Sequence, residues 1–288
     1  MISVHDHGHV KLLNLAGPTP RTHDYSSPEG GYIPRMFDAD DRDPANAARM
    51  SFDQMDSGRT READLKLCDY LMKNHHTTPF EMIEVWLDMK LPIFVARQFV
   101  RHRTVSINEV SARYILLPEE WYIPEIVYAK PDSGAKQGRA QPLPAILQNC
   151  FKYDLDKACR ESYERYLHYA NAGAAPEQAR CFLHVNHYTH WLWKQDLHNI
   201  MNFLRLRDHF HAQGEAIDYA QAVDTLLREQ LPDLMSLYDK YRRQKVREVL
   251  AYMVTPPDGQ AFFSPVSAER ITEDDKARGW LELALYGE

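Results

Sequence analysis

Residues 83–114, IEVWLDMKLPIFVARQFVRHRTVSINEVSARY, decide the reading of this chain. Ile83, Val85, Leu87 and Met89 alternate with Glu84, Trp86, Asp88 and Lys90. A period of two over eight residues predicts a half-buried strand, because successive side chains leave opposite faces. Pro92 then opens a helix, with Ile93, Phe94, Val95, Phe99 and Val100 as its apolar contribution. Polar groups follow on all sides: Arg97, Gln98, Arg101, His102, Arg103, Ser106, Asn108, Glu109, Ser111 and Arg113. Four guanidinium groups between residues 97 and 113 exceed what folding asks for. A guanidinium is a planar fork of donors that matches phosphate. The whole chain carries a net charge of −7, so a local excess of arginine points to a small anion rather than a long polyanion. A solvated charged face is the plainer reading of any charge run. Charge running out of an apolar helix into a polar loop favours a site.

At 288 residues the chain suffices for one large domain or two small ones. Its hydrophobic content of 44% is ordinary for a globular protein. No apolar run approaches the length of a membrane span. The start, MISVHDHGHVKLL, lacks the basic and apolar regions of a secretory signal. Cys68, Cys150, Cys159 and Cys181 form no CxxC pair, and a reducing cytoplasm is expected.

Outward from the central stretch, residues 10–15 predict a short strand ended by Gly17-Pro18. His5, His7 and His9 alternate, so an extended chain would place them on one face, where a metal or merely a polar strand edge are both open. Residues 21–45 read as a loop or arm. Asp43-Pro44 opens a short helix, 60–74 form another, and 75–81 make a polar turn. Residues 116–130 are aromatic and proline-punctuated, and 131–144 read as a surface loop. A long helix follows over 144–172, stopped by Gly173. Pro176 predicts a further helix carrying Arg180, then His184, His187 and His190 at three-residue steps. A metal cluster there is conceivable, but no carboxylate stands with it in sequence. In residues 196–213, Leu197, Ile200, Met201 and Leu204 form an apolar stripe, and Arg207 and His211 share a face at i and i+4. Helices are expected over 219–229 and 232–252, and a charged one near 269–285.

Arg101-His102-Arg103, seven residues and then Ser111 resembles the RHR-x7-S signature of the flavin-dependent thymidylate synthases. The match continues through Asn108-Glu109 and Ser111-Ala112-Arg113-Tyr114. Asn46 to Phe52, with Ser51, is similar to an early family segment. So is His76-Thr77-Thr78-Pro79-Phe80-Glu81, although Met82 stands where the family usually has His. Asn202, Arg207, His211, Ala212, Gln213 and Glu215 match a further pattern, where Ala216-Ile217 replaces the usual Ile-Arg. Asp196 occupies a position that is commonly Asn. The resemblance covers roughly residues 5–245, with its specific motifs in 76–114 and 180–215.

This resemblance implies an α+β fold, a small mixed or antiparallel sheet with a helical lobe, in a domain over residues 1–253 with a tail at 254–288. It implies methylation of dUMP to dTMP, with FAD as hydride carrier, NADPH as reductant and 5,10-methylenetetrahydrofolate as one-carbon donor. It places Arg113 and Arg180 at the nucleotide phosphate, with Gln98, Phe99, Val100, Arg101, Glu109, Val110, Ser111 and Ala112 completing the pocket. Arg207, the expected catalytic residue, would lie against the uracil edge. Ser51, His76, Thr78, Arg101, His102, Arg103, Glu109, Asp196, Leu197, His198, Asn202 and His211 are implied at the flavin. A cytoplasmic homotetramer is implied, with no metal, nucleic acid or membrane. None of the four cysteines lies in a Pro-Cys or Gly-rich turn, so no cysteine nucleophile is expected.

Two other classes compete. A nucleic-acid binder would use RHR and KYRRQKVRE at 240–248, but a pI near 6.1 argues against it. A metal hydrolase would use the fourteen histidines. No GxGxxG or P-loop is present, so a flavin would be held by side chains or neighbouring subunits.

Overall fold

Strands Ile2–Val4 (β1), Gly8–Ala16 (β2), Glu84–Pro92 (β3), Ser106–Glu109 (β4) and Tyr188–Asp196 (β5) form one antiparallel sheet in the order β1-β2-β3-β5-β4. The structure is a computed structural model and describes residues 1–18, 39–55, 59–131, 138–209 and 212–242. Along β3 the expected alternation holds. Val85, Leu87 and Met89 are at most 1% exposed and face the core, while Glu84, Trp86, Asp88 and Lys90 face the other side. Helices Ile93–Phe99 (α4), Leu197–Arg207 (α7) and Gly214–Gln230 (α8) cover the core face. Phe99 lies at its centre, with ring centroids 4.9 Å from Phe203 and 6.1 Å from Trp193, both edge to face. Removing such a ring costs about 3–5 kcal/mol.

A second layer is built by Asp43–Arg49 (α1), Arg61–Lys73 (α2), Thr78–Glu81 (α3) and Pro232–Tyr241 (α9). Thr60 caps α2 by accepting from the Ala63 N–H at 3.3 Å. Asp64 and Arg49 join α1 to α2 at 2.6 Å. The helical lobe has its own small core: Trp121, Tyr163, Tyr166, Cys159 and Ala179, gathered by Ala145–Asn171 (α5) and Pro176–Ala179 (α6). After α5 the chain turns at Gly173, whose φ of +92° is in the left-handed region that glycine adopts freely.

Several expectations are corrected. The helix from Pro176 ends at Ala179; a 3-10 turn, Arg180–Phe182, follows, and then β5. His184, His187 and His190 therefore share no helix. Thr189, Trp191, Trp193 and Gln195 are buried while His190, Leu192 and Lys194 are not, a period of two that the three-residue histidine spacing masks. Pairing with β3 and β4 on both edges fixes this segment as a strand. Residues 106–109 are a strand rather than loop because β5 offers them an edge. Residues 78–81 form one helical turn within the expected polar turn. His5 has φ of +58° and lies with His7 in the turn between β1 and β2, so His5, His7 and His9 do not line one strand. The tail at 254–288, with the helix expected near 269–285, lies outside the described residues, as does the expected helix beyond residue 242.

Candidate functional site

The two chemical stretches start from neighbouring strands. β3 runs through Pro92 into α4, which ends at Phe99; a tight turn, with the His102 N–H donating to the Phe99 carbonyl at 3.0 Å, then presents Arg101, His102 and Arg103. β5 runs directly into α7, whose last turn carries Arg207. Arg207 donates from Nε to Nε2 of His102 at 2.9 Å and from Nη2 to the Gln98 carbonyl at 2.8 Å. Gln98 in turn donates to Oε1 of Gln213 at 2.7 Å. The guanidinium is thus oriented by two acceptors of the first stretch.

The electrostatics follow from this contact. Burial first, and then the positive Arg207, pushes the His102 pKa down to about 4, so the ring is neutral near pH 7. Since Nε2 accepts from Arg207, the ring proton belongs on Nδ1. Burial, and then Arg101, lowers the Arg207 pKa, although a guanidinium keeps its proton at neutral pH.

Several arginines are matched with carboxylates: Arg49 with Asp64, Arg61 with Asp41 and Asp233, Arg139 with Glu215, Arg228 with Asp224 and Asp239. Among the described residues, Arg59, Arg97, Arg101, Arg103, Arg113, Arg180, Arg205, Arg207 and Arg242 have no carboxylate within ion-pair distance. These guanidiniums are available to an anion.

The other expected nucleotide residues divide by position. Glu109 accepts from the Thr189 hydroxyl at 2.5 Å, and Ser111 Oγ accepts from N and Nε of Arg113, both at 3.3 Å. Val110 donates its N–H to the His190 carbonyl at 2.8 Å, Ala112 is buried and Val100 is exposed. Arg180 is exposed on its 3-10 turn, and among the described residues no side-chain hydrogen bond joins it to Arg113 or Arg207. Phe99 is fully buried in the core, which leaves a nucleotide only its backbone.

At the flavin residues, Ser51, His76, Thr78, Arg101 and Arg103 are exposed, with α1 packed on α3 and α3 on α7. Leu197 is a core residue whose N–H is also taken by the Ile83 carbonyl, at 2.8 Å. Asp196 is a helix cap: Oδ1 accepts from the Asn199 N–H at 2.9 Å and Oδ2 from Asn199 Nδ2 at 2.7 Å. Asn202 accepts from Arg205 at 2.9 Å. α7 ends at Arg207, and His211 lies outside the described residues.

Sequence reasoning missed Arg242 as a site residue. Its Nη1 donates to Nδ1 of His198 at 2.9 Å, while Nε and Nη2 are buried with no partner among the described residues. Burial and then Arg205 lower its pKa. Two buried, unsatisfied guanidinium donors fit a negatively charged group. Read from sequence, Arg242 was one charge in the KYRRQKVRE run, of which Lys240 is paired with Asp69 at 2.7 Å and residues 243–248 lie outside the described residues.

Fold and site together define an α+β protein in which Arg207, at the end of α7, is held against His102 and Gln98 of a stretch about a hundred residues upstream. The family described as thymidylate synthase complementing protein matches residues 35–233, and the chain belongs to that family. A relative from Thermus thermophilus is 41% identical over 213 residues, 73% of this chain and 76% of its own. One from Gluconobacter oxydans is 40% identical, covering 85% and 80% of the two chains. One from Rickettsia bellii is 32% identical, covering 98% of this chain, which extends past residue 253, and 92% of its own. All three are named flavin-dependent thymidylate synthase. A crystal structure of the UMP/dUMP methylase PolB from Streptomyces cacaoi bound with 5-Br dUMP shares the fold, with a TM-score of 0.68 at 23% identity over 83% of this chain and 98% of that one.

Proposed function

We propose that the chain is a flavin-dependent thymidylate synthase, converting dUMP to dTMP with FAD, NADPH and 5,10-methylenetetrahydrofolate. The observation that carries this is Arg207, oriented by His102 and Gln98 and left without a carboxylate. Methylation at C5 of uracil needs electron density pushed toward that carbon. Arg207 at the ring edge stabilises the negative charge that develops there, and its prior orientation spares reorganisation during reaction. The phosphate goes to Arg113 and Arg180, with Ser111, Glu109, Gln98, Ala112 and the backbone of residues 99–101 and 110 around the nucleotide. His102 acts as a neutral positioning group for Arg207.

The flavin, when bound, supplies hydride chemistry that no side chain has. The residues present fit it: Arg242 with two unsatisfied donors beside His198, Asn202 next to Arg205, and exposed Arg101, Arg103, Ser51, His76 and Thr78. Cys68 and Cys159 are buried, with thiol pKa values raised by burial, the reverse of what a nucleophile needs.

A homotetramer with shared sites belongs to this proposal, as does a cytoplasmic location. Exposed Trp86 and Leu192 on the open sheet face, and Ile146, Leu147 and Phe151 on α5, are apolar surface of the kind that association covers. Among the described residues no helix is long and apolar enough to cross a membrane. The test is the visible spectrum of the purified, FAD-loaded protein during anaerobic addition of NADPH. Bleaching of flavin absorption that quickens with dUMP supports nucleotide and flavin in one site. A protein that takes up no FAD refutes it.

A further inference from the structure

The open face of the sheet holds a cluster that this chemistry does not use. Asp88 on β3 stands between His9 on β2 and His190 on β5. Its Oδ1 lies 3.0 Å from Nε2 of His9 and 2.5 Å from Nε2 of His190. The three donor atoms fall within 4.8 Å of one another, and the imidazoles meet edge to face at 5.5 Å. The register explains the convergence: His9, Lys90 and His190 are cross-strand partners, and Asp88 is two residues along the same face of β3.

Lys11 stands opposite Asp88 in register but makes no ion pair with it, and the other lysines of this face have acids of their own. Lys90 is paired with Glu120 at 2.5 Å and Lys194 with Glu84 at 2.8 Å. Among the described residues no Lys or Arg lies within ion-pair distance of Asp88, which meets the two imidazoles instead. Burial alone would raise the Asp88 pKa, but the hydrogen bonds from His190 and His9 outweigh it and hold the carboxyl below its usual range.

We propose that His9, Asp88 and His190 form a binding site for a divalent transition-metal ion of the zinc class. Two imidazoles and one carboxylate are a donor set that suits zinc. Bonds of about 2.0–2.1 Å in a tetrahedron put ligand atoms roughly 3.3 Å apart, so each Nε2–Oδ1 separation opens by less than about 1 Å on metal entry. Side-chain rotation supplies that while the strands stay paired. Each imidazole then carries its proton on Nδ1, and binding weakens as pH falls. Three protein ligands leave a fourth position open beside His190, which is half exposed in the single chain. The ion ties β2, β3 and β5 together on the face opposite the core.

Cobalt(II) is the probe, because its visible spectrum reports coordination. The full chain is dialysed against a chelator, titrated with cobalt and then displaced with zinc, beside His190→Ala, Asp88→Asn and, as a control away from the cluster, His168→Ala. Circular dichroism melts establish that each variant is folded. The expected result is one cobalt per chain, with bands of nitrogen-ligated metal and a higher melting temperature on zinc. His190→Ala and Asp88→Asn should each weaken binding by at least about 100-fold, since loss of even an outer-shell partner costs 10–100-fold. His168→Ala should bind as the parent does. Absence of stoichiometric binding, or equal binding by His190→Ala and the parent, overturns the proposal.

Discussion

Replacing His102 by Gln removes a buried ring that stays neutral to about pH 4 while leaving a carbonyl to accept from Arg207. The His102 pKa falls from 6.5 in the unfolded chain to about 4 in the folded one. Between those values the unfolded chain binds a proton that the folded chain refuses. His102 therefore contributes stability that is fully present above pH 6.5 and is lost as pH drops toward 4. Near pH 5.5 the difference is about 0.9 proton, worth roughly 1.2 kcal/mol per pH unit. His187, also pushed down to about 4 by burial first, contributes a similar slope in the same direction. Carboxyls held below their usual range, such as Glu215, give up their share at lower pH, through the carboxylate range. Urea unfolding of ligand-free protein, at several pH values between about 5 and 6.5 and at fixed protein concentration, isolates the histidine contribution. His102→Gln should lower the slope of stability against pH by about 1 kcal/mol per unit relative to the parent, leaving the share of His187. An unchanged slope would mean that His102 titrates as an ordinary histidine, and its role as a neutral acceptor for Arg207 would be wrong.

Arg207→Ala should cut dTMP formation by at least about 100-fold, the scale for losing one preorganised donor, while FAD stays bound; turnover near the parent rate would remove Arg207 from the chemistry. Arg242→Ala should weaken FAD by about 10–100-fold in a fluorescence titration, as expected for lost hydrogen bonds to a charged group, and leave dUMP affinity alone. Unaltered FAD binding would return Arg242 to a structural role. Thiol reagents should modify exposed Cys150 and Cys181 quickly, but Cys68, pushed up to about 12 by burial, and Cys159 only on unfolding. Four fast thiols would contradict the packing around α2 and α5. Phe99→Ala should lose about 3–5 kcal/mol of stability in urea melts. A loss below about 1 kcal/mol would move Phe99 from the core back toward the nucleotide.

The parts of the fold that were legible in sequence are those where a local period matches the final environment. β3 alternates because one of its faces is core and the other open, and α2, α5 and α7 show their stripes or caps. β5 was illegible because Leu192 on its open face sits between Trp191 and Trp193 of its core face, so the apolar run hides the period of two, and the histidine spacing suggests a helix. Its state is fixed by two neighbouring strands, one from nearly a hundred residues upstream. The site divides in the same way. Motif spacing singles out Arg207 and the RHR turn, which the structure brings into contact, but it cannot distinguish a side chain that faces outward from one that faces the core. Phe99 and Leu197 lie inside those motifs and turn inward. Asp196 follows a third logic: at the junction of β5 and α7 an acid that caps a helix satisfies an exposed N–H, and that local need accounts for both of its oxygens. Arg242 and the pairing of His102 with Arg207 are contacts across more than forty and one hundred residues, and no local pattern encodes them.

The distribution of charge makes the strongest link between fold and function. The acidic chain has carboxylates to spare, and it uses them on Arg49, Arg61, Arg139 and Arg228, where helices and loops are joined. It withholds them from Arg207, which feels Arg101, and from Arg242, which feels Arg205; each neighbour lowers the pKa of the guanidinium it approaches. Like charges held together in half-buried positions cost stability in the ligand-free protein. A fold selected for stability alone would place acids beside them, as it does elsewhere in the same molecule. On the proposed function, an anion entering beside them would relieve this repulsion. The neutral His102 belongs to the same arrangement, because a protonated ring would add a third positive charge beside Arg207 and remove its acceptor. Burial that keeps this ring uncharged is thus what lets His102 accept from Arg207 and hold its guanidinium in one orientation.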